Sequence, residues 1–420
     1  MTDTGLVGVN RMYTIMHINC ACTGSTGKII CDIADFAATR KIQTLLCAPS
    51  TPGRNENIRY FRTSLPYEQG IYRRLNSVYG FQYGFAPLST VRIKRIIKRE
   101  KPDVIHIHCI NGFMVNIYQL FSFLKKRNIP CIITNHAEFF YTGGCAYAYD
   151  CDKWQTGCGQ CPQGYLATGC KIKDTSAAAW QKMKKAFENL HGAVMVSVSP
   201  WVRDRAAQSP ITASIPQKTI WNGVNTQIFT YHDVFELRQK HGIASKMRVV
   251  FHPTANFSEA TDDRKGGRYI LELAQILKDQ NVVFIVAGKH TPEMKVPPNV
   301  ILLGVVSDQN IMAQYYSMAD VTVVVGKRET FNMPVAESLC CGTPVVGFMA
   351  GGPESIAMKE YSRFVDYGDS DALANNLLWM LTQENDKHTI SKQAKKQYAA
   401  TVMAEEYINI YEQLLKNGSE

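Results

Sequence analysis

Apolar residues fall in short runs, separated by stretches in which they recur every three or four positions. Tyr13 to Asn19 reads as a buried strand, and Gly24-Ser25-Thr26-Gly27 then opens a helical stretch with apolar residues at Ile29, Ile30, Ile33, Ala34, Phe36 and Ala37. Further strand-like runs at 43–47, 103–108 and 129–134 alternate with helical patterns, which predicts a parallel sheet covered by helices on both faces. After Trp221-Asn222-Gly223-Val224-Asn225 the alternation begins again, with strands at 248–252, 282–287, 300–303, 320–325 and 343–347 and helices at 266–278, 308–318 and 334–341. The pattern therefore predicts two Rossmann-like α/β domains, 1–222 and 223–399, with residues 1–10 as a floppy extension. The stretch 388–416 reads as helix, and Tyr407, Ile408, Ile410, Tyr411 and Leu414 require it to pack on something. Only 67–87, with Tyr67, Tyr72, Tyr79, Phe81, Tyr83 and Phe85 around Arg73 and Arg74, fits neither period.

At 420 residues the chain exceeds what one core usually supports, about 250 residues, in keeping with two domains. Hydrophobic residues at 45% and charged residues at 20% exclude a disordered or fibrous chain. A formal charge of +10 favours anionic partners without choosing among nucleotide, lipid surface and nucleic acid. Arg11 and His17 interrupt the first apolar stretch, so no signal or transit peptide is expected, and the expected location is cytoplasmic. The run 104–124 lacks Asp, Glu, Lys and Arg but contains His106, His108, Asn111, Asn116 and Gln119, too many polar groups for a bilayer span. Thirteen cysteines in such a chain point to thiols in a reducing compartment.

The glycine loop at 24–28 fails as a P-loop, because Cys22 and Ile29 stand where Gly and Ser or Thr are needed, and it fails as G-x-G-x-x-G. What remains is a small-residue loop before a helix N-terminus, equally readable as a tight turn or as an anion cradle. A richer stretch is Glu329-Thr330-Phe331-Asn332-Met333-Pro334-Val335-Ala336-Glu337, followed by Gly342-Thr343-Pro344-Val345-Val346 and Gly351-Gly352-Pro353-Glu354. Pro334 suits a first helical turn, so 331–334 form a ready anion site with one carboxylate before the helix and one on it. Taken alone, two such Glu are ordinary capping and solvated charges.

The motif order changes that balance. The stretch resembles the E-x-F-G-x-x-x-x-E motif of the retaining nucleotide-sugar glycosyltransferases of family 4. Asp103-Val104-Ile105-His106-Ile107-His108 resembles the family's D-V-I-H-x-H, Thr134-Asn135-His136 its T-x-H, Asn222-Gly223-Val224-Asn225 its N-G-V-D and Lys265-Gly266 its K-G. Trp154 with Gly157-Cys158-Gly159-Gln160-Cys161-Pro162 resembles an exopolysaccharide and colanic-acid subset. Asn332 departs from the usual Gly, Asn225 from Asp, and Thr254-Ala255-Asn256 from a G-R pair that meets the diphosphate in many members.

The resemblance implies a GT-B architecture, two Rossmann-like domains facing a central cleft, with helix 400–418 packing back on the first. It implies transfer of a sugar, with retention, from a nucleotide-diphosphate sugar to a glycan or lipid-linked hydroxyl, in exopolysaccharide, capsule or O-antigen synthesis. By the same resemblance Glu329 holds the donor sugar, Glu337 the ribose, and His136 contacts the sugar near the reacting bond. Lys265, helped by Arg264 or Arg328, meets the diphosphate together with Phe331, Asn332 and Met333; Gly24 and Gly27 belong to the donor site, and His108 to the acceptor side. Read as residues alone, His106 and His108 are core or strand-end histidines and Lys265 a solvated helix-start residue. No Asp-x-Asp motif calls for a catalytic metal. An epimerase or phosphorylase on the same fold is the rival enzyme reading. A nucleic-acid-binding protein has only the charge in its favour and no motif, so no nucleic-acid partner is expected.

Two further expectations concern surface and metal. A helix at 91–101 would surround Ile93, Ile96 and Ile97 with Arg92, Lys94, Arg95, Lys98, Arg99 and Lys101. The isoleucines are expected to pack on the sheet, while the basic face, with the aromatic segment 67–87, would meet an anionic membrane peripherally. Cys145, Cys151, Cys158 and Cys161 are expected to hold one structural zinc, the last pair having C-x-x-C spacing; buried free thiols and two disulfides are the alternatives.

Overall fold

The computed structural model describes residues 13–51, 55–80 and 82–417, so the expected extension at 1–10 and Phe81 lie outside the described residues. The chain divides into two compact units. The first comprises the described residues of Met1–Val196, Ala206–Lys218 and Ala404–Glu420; the second comprises Ser197–Arg205 and Thr219–Met403. A single cut at 222 therefore misses the assignment of 197–205 to the second unit. There Ser199 Oγ donates to Thr330 O at 2.7 Å, and the Trp201 ring lies against Gly351.

The first unit's strands are β1 (Thr14–Ile18), β2 (Gln43–Ala48), β3 (Ile58–Arg62), β4 (Val104–Ile107), β5 (Cys131–Asn135), β6 (Ala193–Ser197) and β7 (Gln217–Thr219). They lie in the order β3-β2-β1-β4-β5-β6-β7, and β1 pairs in parallel with both β2 and β4. Met16, Ile18, Leu45, Ile105, Ile107 and Ile133 bury one face against Phe121, Phe139, Phe140 and Phe187. The direction of strand addition reverses between β1 and β4, and open α/β sheets bind ligands beyond the strand C-termini at such a point. His17 and His106 are register partners there.

The second unit repeats the plan with β8 (Arg248–Asn256), β9 (Val282–Lys289), β10 (Val300–Gly304), β11 (Val321–Val324), β12 (Val345–Phe348) and β13 (Ser362–Val365), in the order β10-β9-β8-β11-β12-β13. Its core joins Val250, Phe284, Val286, Val323 and Val346 to Ile270, Leu273 and Leu377 of the flanking helices. The reversal falls between β8 and β11, which brings the loops after Asn256 and Val324 to one end of the sheet.

The continuous helix expected over 388–416 is corrected. Helix Lys387–Tyr398 ends at Ala399, which is extended (φ −60°, ψ 137°), and helix Ala400–Asn417 follows. Val224 holds this break open: its N–H donates to Tyr398 O at 2.7 Å, and its carbonyl accepts from Ala400 N–H at 2.9 Å. Tyr407 and Tyr411 of the last helix bury their rings in the first unit, with hydroxyls on Thr134 and His106. Among the described residues no helix is long and apolar enough to cross a membrane.

Candidate active site

In the second unit, Gly266 adopts a left-handed conformation (φ 73°) against Val325, whose carbonyl would lie 2.2 Å from an added Cβ. This close approach brings the start of helix Gly267–Ile276 beside the loop after β11, and Lys327 N–H donates to Arg264 O at 2.9 Å. Lys265 Nζ thereby reaches Glu329 Oε1 at 2.7 Å, with the side chains 31% and 16% exposed. A partly exposed pair of this kind adds at most about 1 kcal/mol to stability, so its partners are free to exchange for a charged ligand at little cost.

The backbone of Glu329 is fixed on both sides: its N–H donates to Ala350 O and its carbonyl accepts from Gly352 N–H. Gly352 fits only because it lacks a Cβ, which would come within 2.4 Å of Thr330. Glu354 satisfies the turn by accepting from Ala350 N–H and Gly351 N–H, so the third carboxylate of the motif serves its own loop. Asn332 precedes helix Met333–Cys340 at φ 75°, which explains the departure from Gly, since Asn is the side chain that best tolerates this region. Its Oδ1 is buried without a partner at the helix entrance. Phe331 is buried, Met333 and Pro334 form the first turn, and Glu337 Oε2 accepts from the buried Tyr316 hydroxyl at 2.9 Å. The Arg328 guanidinium lies over Trp201, 5.2 Å from the ring centroid. Lys265, Glu329, Asn332 and Glu337 thus gather around one strand-to-helix loop, which presents a cation, two carboxylates and helix N–H groups. Where Thr254-Ala255-Asn256 replaces the G-R pair of the resembled family, β8 runs on through Thr254 to Asn256 and pairs Asn256 with Lys289.

Gly24 and Gly27 lie in the first unit and Lys265, Glu329 and Glu337 in the second. Helix Gly24–Thr39 starts at Gly24 itself (φ 77°), and a Cβ on Gly27 would strike the Cys22 backbone at 2.6 Å, so Gly27 serves its own turn. Asn19 Nδ2 ties the loop by donating to Ala21 O and Thr26 Oγ1 at 2.8 and 2.9 Å. Around the same sheet end stand His17, His106, His108 and the half-buried His136. His17 Nδ1 is 2.9 Å from His108 Nε2, and His108 Nδ1 is 3.1 Å from His136 Nε2. Burial lowers the pKa of His136 to about 4 and that of His17 to about 3, and holds His106 and His108 well below the ordinary value. Neither His17, noted in the sequence only as a polar break in the first apolar stretch, nor Tyr316 was a candidate site residue; equal positions near the ends of β1 and β4 were the available signal for His17.

Cys145, Cys151, Cys158 and Cys161 line one small cavity of about 20 Å³ with Trp154 and Thr142. All thirteen cysteines are free thiols, so the disulfide alternative does not hold. Burial first, then the neighbouring sulfurs, push the Cys158 thiol up to about 12. A tetrahedral zinc needs its sulfurs about 3.8 Å apart. Among the described residues, the only three metal-ligating atoms drawn within 4.8 Å of one another belong to His17, His106 and His108.

Residues 26–228 match the family model described as Glycosyltransferase Family 4, and residues 233–397 match the one described as Glycosyl transferases group 1. The N-acetyl-alpha-D-glucosaminyl L-malate synthase of Bacillus anthracis is 21% identical over 48% of this chain and 55% of its own length. The putative colanic acid biosynthesis glycosyl transferase WcaC of Escherichia coli (strain K12) is 22% identical over 76% of this chain and 79% of its own. The chain thus spans about half of the former relative and about four fifths of the latter. Among solved structures, that of Anabaena Alr3699/HepE in complex with UDP aligns with a TM-score of 0.64 and 15% identity over 96% of this chain and 100% of that one, which shows a shared fold.

Proposed function

We propose, for a chain that belongs to the glycosyltransferases of family 4 and group 1, that it moves a sugar from a nucleotide-diphosphate sugar, with retention, to a hydroxyl of a glycan or lipid-linked acceptor in polysaccharide synthesis. The observation that carries this reading is the Lys265–Glu329 pair beside the Asn332 helix entrance and Glu337. Such transfer passes through an oxocarbenium-like state while negative charge grows on the departing diphosphate. Lys265, with Arg264 nearby in sequence, and the helix N–H groups after Asn332 supply the matching positive field. Glu329, released from Lys265 as the diphosphate takes that cation, is assigned to the donor sugar's hydroxyls, and Glu337, oriented by Tyr316, to the ribose. His136 of the first unit is assigned a contact to the sugar. The UDP in the Anabaena structure and the colanic-acid name of WcaC support the donor class and the pathway type.

Product analysis tests the reading: with a nucleotide sugar and acceptor, a new glycoside whose anomeric configuration matches the donor is expected. Sugar isomerised at a carbon, or sugar phosphate released, points instead to the epimerase or phosphorylase reading.

Two attachments of this reading are proposals as well. The four cysteines line one small cavity, and that shared lining is what supports a structural zinc. A peripheral place on an anionic membrane is supported less by helix Pro87–Glu100, whose Ile93, Ile96 and Ile97 are buried, than by helix Glu68–Tyr79. That helix turns Glu68, Tyr72 and Asn76 inward and leaves Tyr67, Ile71, Leu75, Val78 and Tyr79 exposed beside Arg73 and Arg74. Segment 165–172, tied to it through Asn76 and Ser77, adds exposed Leu166 and Ile172.

A further inference from the structure

Lys387 opens helix Lys387–Tyr398 and turns its ammonium onto the ends of two neighbouring helices. Nζ donates to Ser317 O at 2.7 Å and to Ala319 O, at the end of helix Gln309–Met318, and to Thr343 Oγ1 at 3.3 Å. Thr343 Oγ1 in turn donates to Tyr316 O at 2.6 Å, and the Tyr316 hydroxyl donates to Glu337 Oε2 at 2.9 Å. The helix of Glu337, Met333–Cys340, is held by the same element: Ser391 Oγ donates to Cys340 O, and a Cβ on Gly342 (φ 83°) would meet Lys387 O at 2.4 Å. One cation therefore joins the ends of the helices that carry Tyr316 and Glu337.

A cation at a helix C-terminus is ordinary. This one is also withdrawn from water: burial pulls the Lys387 pKa down to about 8, with Asp320 and the Cys341 thiol opposing the fall and Arg238 adding to it. Asp320 already accepts from Arg248 Nη1 at 2.9 Å and from Val249 N–H at 2.7 Å, and burial holds the Cys341 thiol well above its ordinary value. On the helix of Lys387 itself, Asp386 accepts from the His388 and Thr389 N–H groups, and the His388 ring lies edge-on to Tyr231. The three acceptors of Lys387 use all three N–H groups of an ammonium. A neutral amine has two, and its lone pair would face the third oxygen.

We propose that Lys387 is a positioning residue for Glu337: in its charged form it locks the Thr343–Tyr316 contact that sets the Glu337 carboxylate, and nucleotide affinity weakens when that charge is lost. This rests on the reading in which Glu337 meets the ribose. Stability moves the other way. The folded pKa lies below the ordinary lysine value of 10.5, so the unfolded chain holds this proton more tightly. The penalty for burying the charge is present below about pH 8 and is relieved as pH rises from there toward 10.5. A lysine that only held the fold together would change affinity and stability in the same direction; Lys387 is expected to separate them.

The test is calorimetric titration of the full chain and of Lys387→Met with UDP, GDP, ADP and inorganic pyrophosphate at pH 7 and pH 9. At pH 7 a nucleoside diphosphate that binds the wild type should bind the variant about tenfold more weakly, the size of one charge-assisted hydrogen bond. Pyrophosphate, which has no ribose, should not distinguish the two proteins. At pH 9 the gap should narrow, while the wild type gains melting temperature relative to the variant. Equal nucleoside diphosphate affinity at pH 7, an undiminished gap at pH 9, or an equal loss for pyrophosphate overturns the proposal. Amide exchange at 315–319 and 337–343, corrected for intrinsic rate, needs neither variant nor ligand. In the wild type it should quicken between pH 7 and pH 9, and constant protection there also overturns the proposal. If no nucleoside diphosphate binds the wild type, the donor-site reading fails, and the exchange result decides the role of Lys387 by itself.

Discussion

The two units enter their leading helices by the same backbone device and surround it with different chemistry. Gly24 and Asn332 both take left-handed conformations, at φ 77° and 75°, Gly24 as the first residue of its helix and Asn332 just ahead of its own. At the loop of Asn332 the second unit places Lys265, Glu329 and Glu337; at the Gly24 loop the first places the Asn19 amide and the Thr26 hydroxyl, with the row of buried histidines on the same sheet. A helix N-terminus alone therefore does not define a site, and the side chains brought to it decide which ligand it suits. Under the proposed reading, the partly exposed Lys265–Glu329 pair of the second unit would meet the anionic donor and the histidine row of the first would meet the sugar.

Acid should separate the two units most strongly. The folded-state pKa values of His17, His106, His108 and His136 lie below the ordinary value near 6.5, so the unfolded chain binds the extra protons. Their stabilising effect is complete above about pH 6.5 and is lost as pH falls toward about 4 for His136 and about 3 for His17, at up to about 1.4 kcal/mol per pH unit for each. The second unit has His252 at about 4 and, less deeply buried, His241. Amide exchange at pH 7 and 5, corrected for intrinsic rate, should therefore quicken more in β1, β4 and β5 than in β8, β11 and β12; equal protection loss would break the contrast.

Replacing charges comes next. Glu329→Ala and Lys265→Ala should each slow transfer by about one to two decades, the equivalent of about 1.5 to 3 kcal/mol for a charge-assisted hydrogen bond, while melting temperature stays nearly constant. Lys265→Ala should also weaken donor binding. Unchanged turnover in the Glu329 variant would remove the site from this loop, and a collapse of stability in either would make the pair structural.

A smaller effect is expected at the cysteine cavity. About one equivalent of zinc in purified protein, lost in a Cys158→Ser/Cys161→Ser variant, is the expected outcome of elemental analysis. Fully active metal-free protein with four titratable thiols there would remove the metal. The smallest effect is expected for Asn332→Gly, which keeps the left-handed turn and should alter transfer less than tenfold, whereas Asn332→Val should cost far more because a β-branched residue resists that conformation. Similar losses in both would show that the Asn332 amide, and not the turn, is what the site needs.

The sequence made the second unit's candidate site legible because its residues are close together in the chain: Glu329 and Asn332 lie in the loop, Pro334 and Glu337 in the helix that follows it, and strand and helix periods bracket them. The first unit's site was legible only in parts. His108 and His136 stood out through their motifs, but His17 joins them across 91 residues by a side-chain contact that periodicity does not encode. β3 and β13 escaped the pattern because Arg59, Arg62, Ser362 and Arg363 dilute their apolar content. The break at Ala399 escaped because its cause, Val224, lies in the other half of the chain. The helix at 68–79 inverts the usual pattern: Glu68 and Asn76 are buried with Tyr72, while Ile71, Leu75 and Val78, at helical spacing, are exposed.

The most direct test of the central claim is a thermal-shift panel of nucleotide-diphosphate sugars on the wild type and on Lys265→Ala. A ligand at 100 times its dissociation constant adds roughly 2.7 kcal/mol to the folded state. At least one nucleotide sugar is expected to raise the melting temperature of the wild type, and most of this rise should be lost in Lys265→Ala. No shift with any nucleotide sugar, or an equal shift in both proteins, would contradict it.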